Sequence, residues 1–122
     1  MEKIVEDVIK LMQKIERELK SASKPSYFGS LSTIGIGINT KENLLELIQN
    51  ALDELLPLLY IIKDNQPVLD LEKVILDIWD LKEKTKNLFD KSESTVLTNA
   101  GEYRNQIANI ICLFENKFTE LK

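Results

Sequence analysis

The sequence contains no histidine and only one cysteine, Cys112, among its 122 residues. Without histidine the chain can build neither a Ser-His-Asp nor a Cys-His catalytic arrangement, and His-ligated metal sites are excluded. A lone cysteine forms no disulfide within the chain, and this usage is typical of a reducing compartment. Because Cys112 lies in an apolar stretch with no basic neighbour in sequence, we expect a buried and unreactive thiol.

Strong charge of either sign and long hydrophobic runs are also missing. Sixteen basic residues against twenty acidic ones give a net charge of −4, which offers little attraction for nucleic acid or anionic lipid. The most apolar run, residues 55–62, contains Pro57 and is much shorter than the roughly 20 residues of a membrane span. The first residues are acidic and do not resemble a secretory signal. We therefore expect a cytoplasmic protein that binds neither nucleic acid nor a membrane.

The composition that remains is that of an ordinary core-forming domain. Hydrophobic residues make up 43% of the chain and charged residues 30%, and the length suits a single domain of about 100–150 residues. We therefore treat residues 1–122 as one domain. Of the sixteen basic residues only Arg17 and Arg104 are arginine, a bias found in the AT-rich genomes of many bacteria and phages.

Four segments carry apolar residues at spacings of three and four, the pattern of an amphipathic helix. They predict helices over about residues 2–21, 41–62, 67–90 and 97–121. Lys24-Pro25 ends the first segment, because the residue before a proline is disfavoured in the helical region. Short connections on both sides of the third helix favour antiparallel neighbours. The sequence therefore predicts an all-α fold, an antiparallel four-helix bundle with a long, partly apolar loop at 22–40 between the first and second helices.

The most regular apolar stripe lies on the fourth segment, where the spacing is close to a heptad repeat. We expect its members to face the core: Ala100, Tyr103, Ile107, Ile110, Phe114, Phe118 and Leu121. The second segment is apolar over roughly half of its circumference, which implies contact with more than one neighbour. A homo-oligomer that completes the bundle between chains is therefore an open alternative to a monomer.

The loop at 22–40 is longer than the usual connection of about 2–8 residues between helices. It holds three of the four glycines, Gly29, Gly35 and Gly37. It also carries six large apolar residues: Tyr27, Phe28, Leu31, Ile34, Ile36 and Ile38. Such a segment either covers one end of the bundle, which lowers the free energy by burying the isoleucines, or presents a recognition surface.

One group of residues could carry metal chemistry. Asp77, Asp80 and Glu83 recur every third residue, which places three carboxylates on adjacent turns of the third helix. Magnesium sites in helical enzymes use such carboxylates, but no other segment supplies a second acidic pair at that spacing. Lysines at positions 73 and 84 flank the row and partly neutralise it. A solvated acidic face is therefore favoured, and the alternative is a metal-dependent enzyme that uses these three side chains with Mg²⁺ or Mn²⁺.

The remaining apolar residues point to partner binding. Leu76, Trp79 and Leu113 lie off the centres of the helical stripes, and apolar patches, when exposed, mark partner surfaces. Together with the loop they form the predicted partner surface: Tyr27, Phe28, Leu31, Ile34, Ile36, Ile38, Leu76, Trp79 and Leu113. With no catalytic set, cofactor or metal site expected, we interpret the chain as a non-catalytic protein-binding bundle. An adaptor, an immunity or antitoxin-like protein, and a subunit of a larger assembly all fit this interpretation, with another protein as the partner.

Overall fold

The structure, a computed structural model, describes residues 2–22 and 40–119. These residues contain four α-helices and two short 3-10 segments, and no strand occurs among them. The helices are α1 (Glu2–Ala22), α2 (Thr40–Asn65), α3 (Glu72–Lys86) and α4 (Glu93–Thr119). The prediction of an all-α fold is confirmed for this part of the chain. Residues 23–39, which make up most of the expected loop, lie outside the described residues.

Helix α1 follows from its apolar spacing, and α2 contains a proline. On α1 the buried side chains are Val8, Met12, Ile15 and Leu19, which recur at four, three and four residues and so share one face. Helix α2 continues through Pro57, which lies inside it and is exposed. No helix in the described part of the chain is long and apolar enough to cross a membrane.

The segment expected as one helix over residues 67–90 is divided into three parts. A 3-10 turn over Pro67–Leu69 comes first, then α3, and a second 3-10 turn over Asn87–Asp90 ends it. Asp70 has a φ of 49°, in the left-handed region, which a short polar side chain tolerates better than most but which cannot continue a right-handed helix. The break places Leu69 and Leu71 in the core.

Helix α4 begins at Glu93, a few residues before the expected start at 97. The Ser92 hydroxyl accepts a hydrogen bond from the backbone N–H of Thr95 at 3.3 Å, and the Ser92 carbonyl accepts one from Val96 at 3.1 Å. This is the arrangement of a serine N-cap, which satisfies donors that the first helical turn leaves without intrahelical partners. The cap starts the helix early enough to include Gly101.

The four helices surround one hydrophobic core. Helix α1 packs against α2 and α4, and α3 packs against the same two helices. The stripe predicted on α4 supplies much of the core, since Ala100, Tyr103, Ile107, Ile110 and Phe114 are all buried. Phe118 is partly buried and contacts Phe114 edge to face, with ring centroids 5.0 Å apart. The inward orientation of these positions is confirmed, and Leu121 lies outside the described residues.

A polar contact inside the core joins α2 to α3. Thr85 is the one polar side chain that is fully buried in the described part of the chain. The Gln49 amide donates to Thr85 Oγ1 at 2.5 Å and to the Lys82 carbonyl at 2.9 Å, and the Thr85 hydroxyl donates to the Leu81 carbonyl at 2.9 Å. Because a buried polar group is costly unless it is hydrogen-bonded, this contact favours a single alignment of the two helices.

The α4 stripe gives a first prediction. Replacing either Ile107 or Phe114 with Ala should lower the free energy of unfolding by about 2–5 kcal/mol, because each substitution leaves a cavity in a fully buried site. The measurement is urea unfolding followed by circular dichroism. Val68→Ala is the matched control, since Val68 is 74% exposed and should change stability by less than about 0.5 kcal/mol. A negligible loss at both core positions would contradict the packing described above.

The Gln49–Thr85 contact gives a second prediction. Thr85→Val keeps the side-chain shape but removes one of the two acceptors of the partly buried Gln49 amide, so we expect a loss of about 0.5–1.5 kcal/mol in unfolding free energy. The double variant Thr85→Val with Gln49→Leu replaces both partners with apolar groups and should recover part of that loss. Equal stabilities of wild type and Thr85→Val would show that the contact does not hold the helices together.

Candidate partner-binding surface

An aromatic pair is exposed where α2 meets α3. Trp79 is 45% exposed and Tyr60 is 40% exposed, and the indole Nε1–H of Trp79 donates a hydrogen bond to the Tyr60 hydroxyl at 3.2 Å. Leu76 lies one helical turn before Trp79 on α3 and is 59% exposed. We call these three residues the aromatic patch. This hydrogen bond pairs the polar atom of each aromatic side chain with that of the other. Parts of both rings remain exposed to solvent.

Two lysines lie against the rings of the aromatic patch. Lys82 Nζ is 5.3 Å from the centre of the Trp79 ring, and the same nitrogen forms a salt bridge with Asp53 on α2. Lys63 Nζ is 6.0 Å from the centre of the Tyr60 ring. Cations at these distances are attracted to the faces of aromatic rings. The two lysines therefore contribute weak attractive contacts to the faces of both rings.

The exposure of the patch follows from the helical period of α3. Val74, Ile78 and Leu81 fill the inward side of this helix, so that a residue one position after Ile78, at about 100° around the axis, points away from the core. Leu76 is two positions after Val74, about 200° around the axis, and therefore points outward. Burying such side chains would contribute roughly 25 cal/mol for each Å² of apolar surface. The chain on its own leaves this apolar surface partly exposed, and a partner surface can bury it.

The other predicted surface residues have different positions. Leu113 lies on α4, where it is partly buried and packs against the core. The six apolar residues of the loop lie outside the described residues: Tyr27, Phe28, Leu31, Ile34, Ile36 and Ile38. Within the described part of the chain, the structure therefore brings together Leu76 and Trp79 and adds Tyr60, which sequence reasoning missed.

The expectation of a buried Cys112 is wrong, since this thiol is exposed. Its neighbours Ile110, Ile111 and Phe114 take the inward-facing positions of α4. Apolar neighbours in sequence do not guarantee burial on a helix, because consecutive residues point about 100° apart.

The acidic row of α3 makes contacts of a different kind. Asp77 forms a salt bridge with Lys73 at 2.9 Å, and Asp80 forms one with Lys84 at 3.0 Å. The Gln106 amide on α4 also donates to Asp80 at 2.9 Å. Within the described ranges no three His, Cys, Asp or Glu side chains are placed to hold one metal ion. The row thus helps to join α3 to α4, and two of its three carboxylates already have cationic partners.

Contacts and burial shift the pKa values of three groups in the described part of the chain. Hydrogen bonds from Lys84 and Gln106 lower the pKa of Asp80 below its ordinary value of 3.8, because they favour the charged carboxylate. The hydrogen bond to Asp80 raises the pKa of Lys84 in turn. Burial raises the pKa of the Tyr103 hydroxyl, which keeps this core residue neutral. All three shifts are explained by structural contacts, and none identifies a catalytic acid or base.

A broad groove of about 820 Å³ is lined by residues of α1 and α2. Its described lining mixes basic side chains, such as Lys10 and Arg17, with the acidic Glu54 and with apolar Leu11 and Leu58. The lining thus carries charges of both signs beside apolar side chains. The groove therefore has no feature that selects one class of small ligand.

Comparison with protein-family models, with curated proteins and with solved structures finds no match to this chain. The function must therefore be inferred from the residues and their geometry. Of the described surfaces, the aromatic patch combines exposure with large aromatic side chains, which are enriched among the residues that anchor protein interfaces.

The Asp80 cluster gives a third prediction, on pH dependence. A carboxylate whose folded pKa lies below its unfolded pKa stabilises the protein above the unfolded pKa, and this contribution is lost as the pH falls through the folded pKa. Wild type should therefore be slightly more stable than Asp80→Asn at pH 6, and the difference should shrink as the pH falls below the ordinary pKa of 3.8. The side chain of Asp80 is half exposed, so the difference should be small.

The measurement is urea unfolding of both proteins from pH 2 to pH 7. Asp64→Asn, an exposed change on α2, is the control for the loss of a negative charge. A stability gap that widens toward acid pH would contradict the structural role assigned to Asp80.

Proposed function

We propose that this chain is a non-catalytic protein-binding domain that acts in the cytoplasm and binds its partner through the aromatic patch. The observation that carries the proposal is the exposed Trp79, held by a hydrogen bond to Tyr60 and adjoining Leu76. Tryptophan and tyrosine are enriched among the residues that dominate binding energy at protein interfaces. Exposure of both on one face of a small domain favours a protein partner over a small ligand.

An antiparallel bundle is part of this proposal, and three cross-helix contacts support it. Gln49 contacts Thr85, Asp53 contacts Lys82, and Tyr60 contacts Trp79. Residue numbers rise along α2 as they fall along α3, as they do between antiparallel helices. A bundle of this kind presents the aromatic patch on two rigid elements, which reduces the entropy lost on binding.

The distribution of charge supports a binding role over a metal-dependent reaction. A metal ion at the acidic row would have to displace Lys73 from Asp77 and Lys84 from Asp80. No observation favours that exchange. The lone thiol of Cys112 is exposed on α4, and a free exposed cysteine fits the reducing conditions of the cytoplasm. An adaptor, an immunity or antitoxin-like protein, and an assembly subunit are all compatible with such a surface.

Site-specific photo-crosslinking in the native cell provides the test. A photoreactive amino acid at position 76 should form an adduct with a second polypeptide, because Leu76 is exposed and adjoins Trp79. The same amino acid at position 109, on the exposed side of α4, is the matched control and should form none. Adding Trp79→Ala to the position-76 variant should reduce the adduct at least about tenfold, as expected for an anchor residue. Equal adducts at positions 76 and 109 would contradict the proposal.

A further inference from the structure

We draw no further inference here: the strongest candidate, the exposed patch of Tyr60, Leu76 and Trp79 where α2 meets α3, is flanked by charges of both signs, and nothing in the structure shows what covers it.

Discussion

The surface of this domain depends on the buried contact between Gln49 and Thr85. It crosses from α2 to α3 at one end of the seam through direct hydrogen bonds, and its polar atoms find partners in one alignment of the two helices. Once that alignment is set, Asp53 reaches Lys82 and Tyr60 reaches Trp79 farther along the same seam. Sliding α3 by one turn would separate the aromatic pair and take the fully buried Thr85 hydroxyl away from the Gln49 amide. A core contact thus determines what the exterior presents.

The core was the part most accessible from sequence. The spacing of Ile107, Ile110 and Phe114 identifies an inward stripe because the helical period alone decides it, and all three are buried. The ends of the helices were harder to predict, since a single residue, either a cap or a left-handed residue, decides each one. The Ser92 cap starts α4 before the expected residue 97, and the left-handed Asp70 interrupts a segment whose apolar spacing continues through it. Periodicity carries no information on a single left-handed residue.

The candidate surface was only partly predictable, for a related reason. Leu76 and Trp79 could be recognised because they fall outside the stripe of their own helix. Tyr60 could not, because it lies within the most apolar run of the sequence, and its exposure depends on how α3 packs beside it. Which residues share a surface is a long-range property, whereas which residues leave the core is a local one.

The order in which the helices pack has a kinetic consequence. Helix α3 contacts the helices that precede and follow it, across connections of only a few residues, while α1 meets α4 at the far end of the chain. Local contacts close small loops and lose little entropy in doing so, which is why helical domains of low contact order fold in microseconds to milliseconds. We expect α2, α3 and α4 to assemble early and α1 to join them across the largest loop. The aromatic patch would then exist before the core is complete, so the partner proposed above could bind a chain that is still folding.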